Sequence, residues 1–287
     1  MKYVFSTVLA GVLWGLISLF IKPLSAMGFS PALILFFRVL ISVLLMAVYI
    51  LVYNRKLFYI HVKDIVLFLG SGVLSLTFFS LCYFTTIVES GASVAVILLY
   101  TSPVFVLFFS VILFKEKLNK YKLLAVLFTF AGCLLVSGIL NGENAVTLSP
   151  KSLLTGLGAG FGYALYSIFS RYALNKYNTL TVIFYTFLFS LISIIPFSCF
   201  WANFSLLSVK SSLLLFGIGL VCTVLAYFFY TYGLSGLETG KAAVLVTVEP
   251  VIGTVIGFLV FSEPVSFAIL LGIVLILVSL VLVQKQE

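Results

Sequence analysis

Charge is what this 287-residue chain has least of. Asp, Glu, Lys and Arg make up 8% of it, against roughly 25% in a soluble domain. Too few charges remain to cover a globular surface in water, so the bilayer is the expected solvent. Acidic residues are the scarcer sign, 8 against 16 Lys and Arg. Histidine occurs once, as His61 in a loop. One loop histidine and scattered carboxylates supply neither a metal-ligand set nor a nucleophile–base pair, so no metal, no other cofactor and no enzymatic activity are expected. The four cysteines, Cys82, Cys133, Cys199 and Cys222, stand singly in apolar runs without CxxC spacing and read as small core residues. No phosphate-binding loop ending in GK[ST] is present, so the chain is not expected to consume ATP. The run Gly156, Gly158, Gly160, Gly162 misses GxGxxG because the third glycine falls on Phe161 or Tyr163. Gly156/Gly160 and Gly11/Gly15 fit close helix packing instead.

What is present is apolar: 63% of residues, with a mean hydropathy of +1.31. About 20 apolar residues cross a bilayer core as a helix. Ten candidate spans follow, at 3–21, 31–53, 65–88, 92–114, 119–140, 152–174, 178–200, 211–236, 241–261 and 265–284. Short alternating strands, the mark of a membrane barrel, are missing. Met1–Lys2 and the apolar stretch behind it read as a first span rather than a signal peptide. With the N-terminus cytoplasmic, Lys2, Arg55, Lys56, Lys63, Lys115, Lys117, Lys120, Lys122, Arg171, Lys176, Lys241 and Lys285 fall inside. Only Lys22, Lys151 and Lys210 fall outside, which is a positive-inside distribution with both termini cytoplasmic. The net charge of +8 therefore does not point to nucleic acid, because the cations sit in short loops between spans.

The chain also repeats itself. Ala92–Val136 aligns with Thr239–Lys285 without gaps, pairing Ala95/Ala242, Leu98/Leu245, Pro103/Pro250, Phe114/Phe261 and Glu116/Glu263. The front parts agree more loosely, Gly11, Trp14, Ser18, Phe20 and Lys22 matching Gly160, Tyr163, Ser167, Phe169 and Arg171. Five spans per copy is odd, so the second copy must enter the membrane from the opposite side. Two inverted units of this kind can exchange conformations and turn an outward-facing cavity into an inward-facing one.

The repeated pattern of Pro, thirteen residues to Glu, then Gly resembles the ten-span EamA family of the drug/metabolite transporter superfamily. It reads Pro103, Glu116, Gly132 in the first copy and Pro250, Glu263, Gly272 in the second. The glycines differ in position: Gly132 faces Ser279 in the alignment and Gly272 faces Ala125, so each copy keeps one of the two family glycines. The resemblance implies an all-α polytopic membrane protein, ten transmembrane helices as two inverted five-helix repeats, residues 1–141 and 150–287. It implies that spans 1, 3, 4, 6, 8 and 9 line a central cavity. It does not single out a substrate, since members carry varied amino acids, amines, carboxylates and other metabolites.

Several residues within spans are candidates for that cavity. Glu249 lies about eight residues, or roughly 12 Å, into span 9. An intramembrane carboxylate is a functional candidate for protons, a cationic substrate group or an arginine, the plain alternative being a structural ion pair. Its counterpart, Ser102, is uncharged. Arg38 lies roughly 10 Å into span 2 and either snorkels outward or faces the interior to meet Glu249 or a substrate carboxylate. Trp14, Tyr83, Tyr100, Tyr163, Tyr166, Tyr227 and Tyr230 offer apolar rings with a polar tip, suited to packing or to holding a ligand cation. Ser18 completes the expected substrate-binding set of Trp14, Ser18, Arg38, Tyr83, Tyr100, Tyr163, Tyr230 and Glu249. Pro103 and Pro250 are expected inside spans 4 and 9 as hinges, cavity walls or structural kinks. Glu116 and Glu263, ahead of the helix-capping types Asn119 and Ser266, read as turn architecture. Tyr3, Tyr53 and Trp201 read as interfacial belt.

A secondary transporter of a small organic metabolite accounts for these features best, with amino acids or related compounds the favoured cargo and efflux the favoured direction. Its partners would be the substrate, the plasma-membrane bilayer and coupled protons or ions. An amine or quaternary-ammonium importer fits the aromatics and one acid. A non-transporting membrane scaffold would need neither the aromatics nor the inverted repeat. No motif fixes the oligomeric state.

Overall fold

The computed structural model describes residues 1–137 and 149–284. The end of the expected fifth span (138–140), the close of the first unit at 141, Lys285 and the C-terminal residue of the second unit lie outside the described residues, as does the side chain of Ser93. The chain runs α1 (Lys2–Ala26), α2 (Pro31–Tyr53), α3 (Val62–Ser90), α4 (Ala92–Leu99 and Ser102–Phe114), α5 (Lys120–Val136), α6 (Pro150–Leu174), α7 (Thr179–Ser198), α8 (Val209–Leu234), α9 (Thr239–Phe261) and α10 (Phe267–Leu282). Among the described residues there is no strand. Eight helices, α1–α4 and α6–α9, are long and apolar enough to cross a membrane. The shorter α5 and α10 have 17 and 16 residues, about 25 Å each at 1.5 Å per residue.

Helix starts follow local chemistry. The side chains of Ser30, Asn119, Ser149 and Ser266 each accept a hydrogen bond from the backbone N–H three residues on, satisfying one orphan donor of the first turn. Pro31 and Pro150 follow two of these caps, where proline's missing N–H costs nothing. The expected capping by Asn119 and Ser266 is therefore present. At the other end of α4 and α9, Lys115 and Ser262 turn into the left-handed region at φ 55° and 54°. The Glu116 and Glu263 N–H groups donate back to Ser110 O and Gly257 O at 3.2 and 3.1 Å. The two copies build the same turn here.

Large apolar side chains cover the outside of the bundle, among them Leu44, Val48, Phe108, Leu127, Leu259 and Val281. That surface suits lipid and not water. Lipid gives apolar helices little reason to associate, so small residues and hydroxyls must join them. Ser71 bonds Thr186 at 2.6 Å, Thr77 bonds Ser193 at 2.7 Å, and Thr129 donates to Ser279 at 2.9 Å. Ser42 and Ser6 donate to the carbonyls of Gly219 and Phe229 across helix contacts. Gly132 of α5 and Gly272 of α10 face each other so closely that a Cβ on either would sit 2.7 or 2.6 Å from the other's carbonyl oxygen. The two unmatched glycines of the alignment thus serve one contact.

The pairings recur in both halves. α1 packs on α8 and α9, and α6 on α3 and α4; α2 packs on α8 and α7 on α3; α2 meets α7, and α5 meets α10. The main core lies among α1, α2, α7 and α8. A second core joins α5, α9 and α10. In α3 and α8 the backbone widens to π-helical turns, at Gly70–Thr77 and Leu220–Leu225.

Three sequence expectations need correction. Cys199 is exposed at the end of α7, in a left-handed conformation at φ 47°, and is not a core residue. Cys133 and Cys222 are buried as expected, and all four cysteines are free. Tyr3 is partly buried and its ring meets Tyr232 at 5.2 Å, whereas Tyr53 and Trp201 are exposed as a belt requires. The prolines do not kink continuous helices. Helix α4 is already interrupted at Tyr100–Thr101 and α9 passes through a 3-10 turn at Val246–Val248. Pro103 and Pro250 then sit in the first turn of the half-helix that follows, where proline is tolerated.

Candidate functional site

The interruptions in α4 and α9 are seated by two glycines. A Cβ on Gly160 of α6 would lie 2.8 Å from Leu98 O, and one on Gly11 of α1 would lie 2.5 Å from Val246 O. Only glycine lets a neighbouring backbone approach this closely. Helix α1 is itself interrupted at Leu16–Ile17, and a Cβ on Gly15 would lie 2.8 Å from Glu249 O. The breaks in α1 and α9 therefore lie against each other, and the break in α4 lies against α6.

Beside them the aromatic residues gather. The Trp14 ring stands 5.1 Å from Tyr227, 5.4 Å from Tyr230 and 6.2 Å from Tyr163. Tyr166 meets Tyr227 edge-on at 5.0 Å. The Tyr230 hydroxyl bonds Ser167 and the Tyr166 hydroxyl bonds Thr231, each at 2.6 Å. Together with Ser75 and Phe79 of α3 these residues enclose a small cavity. Its volume open to the centre of a water-sized sphere is about 10 Å³, room for one water.

Glu249 begins the second half of α9, so its carboxylate lies at the positive end of that half-helix. It is close enough to Tyr83, Tyr100, Tyr163 and Arg38 for its charge to act on each of them. Arg38 is not in direct ion-pair contact with Glu249. Its Nε is buried without a hydrogen-bond partner among the described residues. The Ser18 hydroxyl is likewise buried and unpartnered, at the start of the second half of α1 and away from the walls of the aromatic cavity. Of the sequence candidates, Trp14, Tyr163, Tyr166, Tyr227 and Tyr230 line the cavity. Tyr83, Tyr100, Arg38 and Glu249 do not line it. Tyr83 and Tyr230, repeat partners in the sequence, sit differently: Tyr83 packs on Phe79 and Phe84.

Ser75 and Phe79 escaped sequence reasoning, because a π-helical turn re-aims side chains without leaving a local signature. Glu116 was also underread. Its carboxylate crosses from the end of α4 to accept from the first N–H groups of α9, Thr239 at 2.5 Å and Gly240 at 3.1 Å. A second, open cavity of about 660 Å³ lies among Lys56, His61, Asp64, Lys176 and Thr181. There Lys176 donates to Asp64 at 2.6 Å, and that hydrogen bond raises the lysine pKa above its usual value.

Residues 1–138 and again residues 150–284 match the sequence profile of the EamA-like transporter family. The chain belongs to this family. It is an integral membrane protein, and the relatives it resembles are described as transporters. It is 24% identical over 292 residues to the "uncharacterized inner membrane transporter YicL" of Salmonella typhimurium, covering 100% of this chain and 96% of the relative. An "uncharacterized transporter" of Archaeoglobus fulgidus is 25% identical, covering 96% and 95%. YwfM of Bacillus subtilis, also described as an uncharacterized transporter, is 25% identical, covering 98% and 93%. A crystal structure of another protein superimposes with a TM-score of 0.80 at 18% identity, over 98% of this chain and 95% of its own. That likeness concerns the fold.

Proposed function

We propose that this EamA-family protein is a secondary transporter of a small organic metabolite, an amino acid or a related compound, working by alternating access in the plasma membrane. In this reading ten spans form two inverted five-helix units, residues 1–141 and 150–287, with both termini cytoplasmic and the cargo moved outward. The observation that carries it is the aromatic cavity of Trp14, Tyr163, Tyr227 and Tyr230 with Arg38 and Glu249 nearby. Rings offer a face to an ammonium. An arginine whose Nε lacks a partner offers donors to a carboxylate. A zwitterion presents both charges, which favours an amino acid over a simple amine. The cavity has room for about one water, so a solute enters only when α1, α6 and α8 part.

Glu249, the carboxylate at the half-helix start, is the coupling residue in this reading. Proteoliposomes with wild type or Glu249→Gln, assayed against amino acids and amines, test it. Glu249→Gln is expected to lose net pH-driven transport while keeping substrate exchange. Net transport with an unchanged pH dependence would remove Glu249 from coupling.

A further inference from the structure

The two copies build the same turn after α4 and α9, yet their glutamates do different things. At one end of the bundle Glu116 holds the first N–H groups of α9. Arg171 donates to the last carbonyls before it, Leu234 O at 2.6 Å and Leu237 O at 3.2 Å. The α8–α9 turn is gripped from both sides. Buried Lys122 adds an ion pair to Glu238 at 2.8 Å. Thr239 is fully buried, and Gly240 lies against Leu107 and Ser110.

The repeat places Glu263 and Lys22 at the corresponding positions of the other end. The corresponding turn, between α3 and α4, is not gripped by them. A Cβ on Gly91 would meet nothing within 4 Å, and Ala92 is exposed. Glu263 and Lys22 instead pair with each other, both about half exposed. The two glutamates and the backbone turns that carry them match, while their partners differ and the facing turns read Glu238-Thr239-Gly240 in one copy and Gly91-Ala92-Ser93 in the other.

We infer that Glu116 and Glu263 are alternating latches. Resting on the alternating-access reading, the inference assigns the present state: the end carrying Glu116 is latched and the end carrying Glu263 is released. By the positive-inside distribution, the latched end is cytoplasmic. In the opposite state Glu263 accepts from the first N–H groups of α4, and Lys22 caps the last carbonyls of α3. Glu116 and Arg171 then pair with each other, as Lys22 and Glu263 do now. A carboxylate on a helix N-terminus is a strong, directional bond that water can replace. It suits a contact that must form and break in each cycle, and each latch exchanges for an ion pair that keeps the released charge satisfied.

Spin labels at repeat-equivalent pairs read the two ends separately: Lys117→Cys with Ser235→Cys at the latched end, and Pro264→Cys with Val88→Cys at the released end. The native cysteines are replaced by alanine, and electron–electron distances are measured in proteoliposomes without substrate. Wild type is expected to show a short distance at the first pair and a longer one at the second. Glu116→Ala should raise the separated fraction of the first pair about tenfold or more, the loss of hydrogen bonds to a charged acceptor. It should also raise the short-distance fraction of the second pair, and adding Glu263→Ala should abolish that rise while the first pair stays separated. An unchanged first pair in Glu116→Ala, or a second pair indifferent to Glu263, overturns the inference. Because no substrate is present, switching distances in a protein that moves no solute would retain the latches and reject the transport reading. Transport with unmoved distances would do the reverse.

Discussion

Trp14 shows how much one side chain settles. It comes from the first helix, yet its ring meets tyrosines of α6 and α8, so the cavity exists only when the two halves of the chain are assembled. Trp14→Ala removes the shared wall and should reduce transport strongly. Tyr230→Phe removes only the hydroxyl bonded to Ser167 and should weaken it several-fold, in keeping with a hydrogen bond worth about 1 kcal/mol. Initial rates across substrate concentrations, set against protein levels in the membrane, measure both, and equal activity in Trp14→Ala would take the cavity out of the transport path. At this scale the sequence was readable where type and depth spoke together. Rings and charges are conspicuous in an apolar span, and of those residues Trp14, Tyr163 and Tyr230 line the cavity whereas Arg38 and Glu249 do not. Glu116 reads correctly as part of a turn, but its bonds to Thr239 and Gly240 lie more than a hundred residues away and leave no local signal. Cys199 was misjudged because an apolar run does not say where its helix stops.

At the scale of the helix, the broken segments and the glycines that seat them decide the geometry. Proline was expected to bend α4 and α9, but the break precedes it, and Pro103 and Pro250 start the next half-helix. The close approach of Gly11 to Val246 and of Gly160 to Leu98 explains why the break can be buried. The sequence marked those glycines as packing residues without naming their partners. Gly132 and Gly272 were legible only as two departures from a shared pattern, and the structure joins them across α5 and α10. Gly132→Leu should separate these helices and lower stability by about 1–3 kcal/mol, the usual cost of overpacking. A melting profile in detergent reads this, and an unchanged profile would mean that the two helices are not held at that point. The hydroxyl bonds between helices, such as Thr129 to Ser279, contribute only about 0.6 kcal/mol each, so the glycine contact should dominate.

For the whole molecule, the scarcity of charge, the apolar exterior and the recurring helix pairings belong to one design. Composition alone was enough to place the chain in a membrane, and the repeated Pro, Glu and Gly pattern was enough to place it among EamA-like transporters. The π-helical turns and the unequal partners of Glu116 and Glu263 were beyond the sequence, since a π turn leaves no local signature and the partners lie more than a hundred residues away. Under the proposed alternating access one binding cavity faces the two sides in turn, so substrate on the far side should speed its return. Counterflow in proteoliposomes tests that most directly. Vesicles loaded with an unlabelled amino acid are diluted into a trace of the labelled compound, across a panel of amino acids and amines. For at least one amino acid internal substrate should accelerate uptake of label, and Trp14→Ala should abolish the acceleration. Uptake indifferent to internal substrate for every compound in the panel would contradict alternating access.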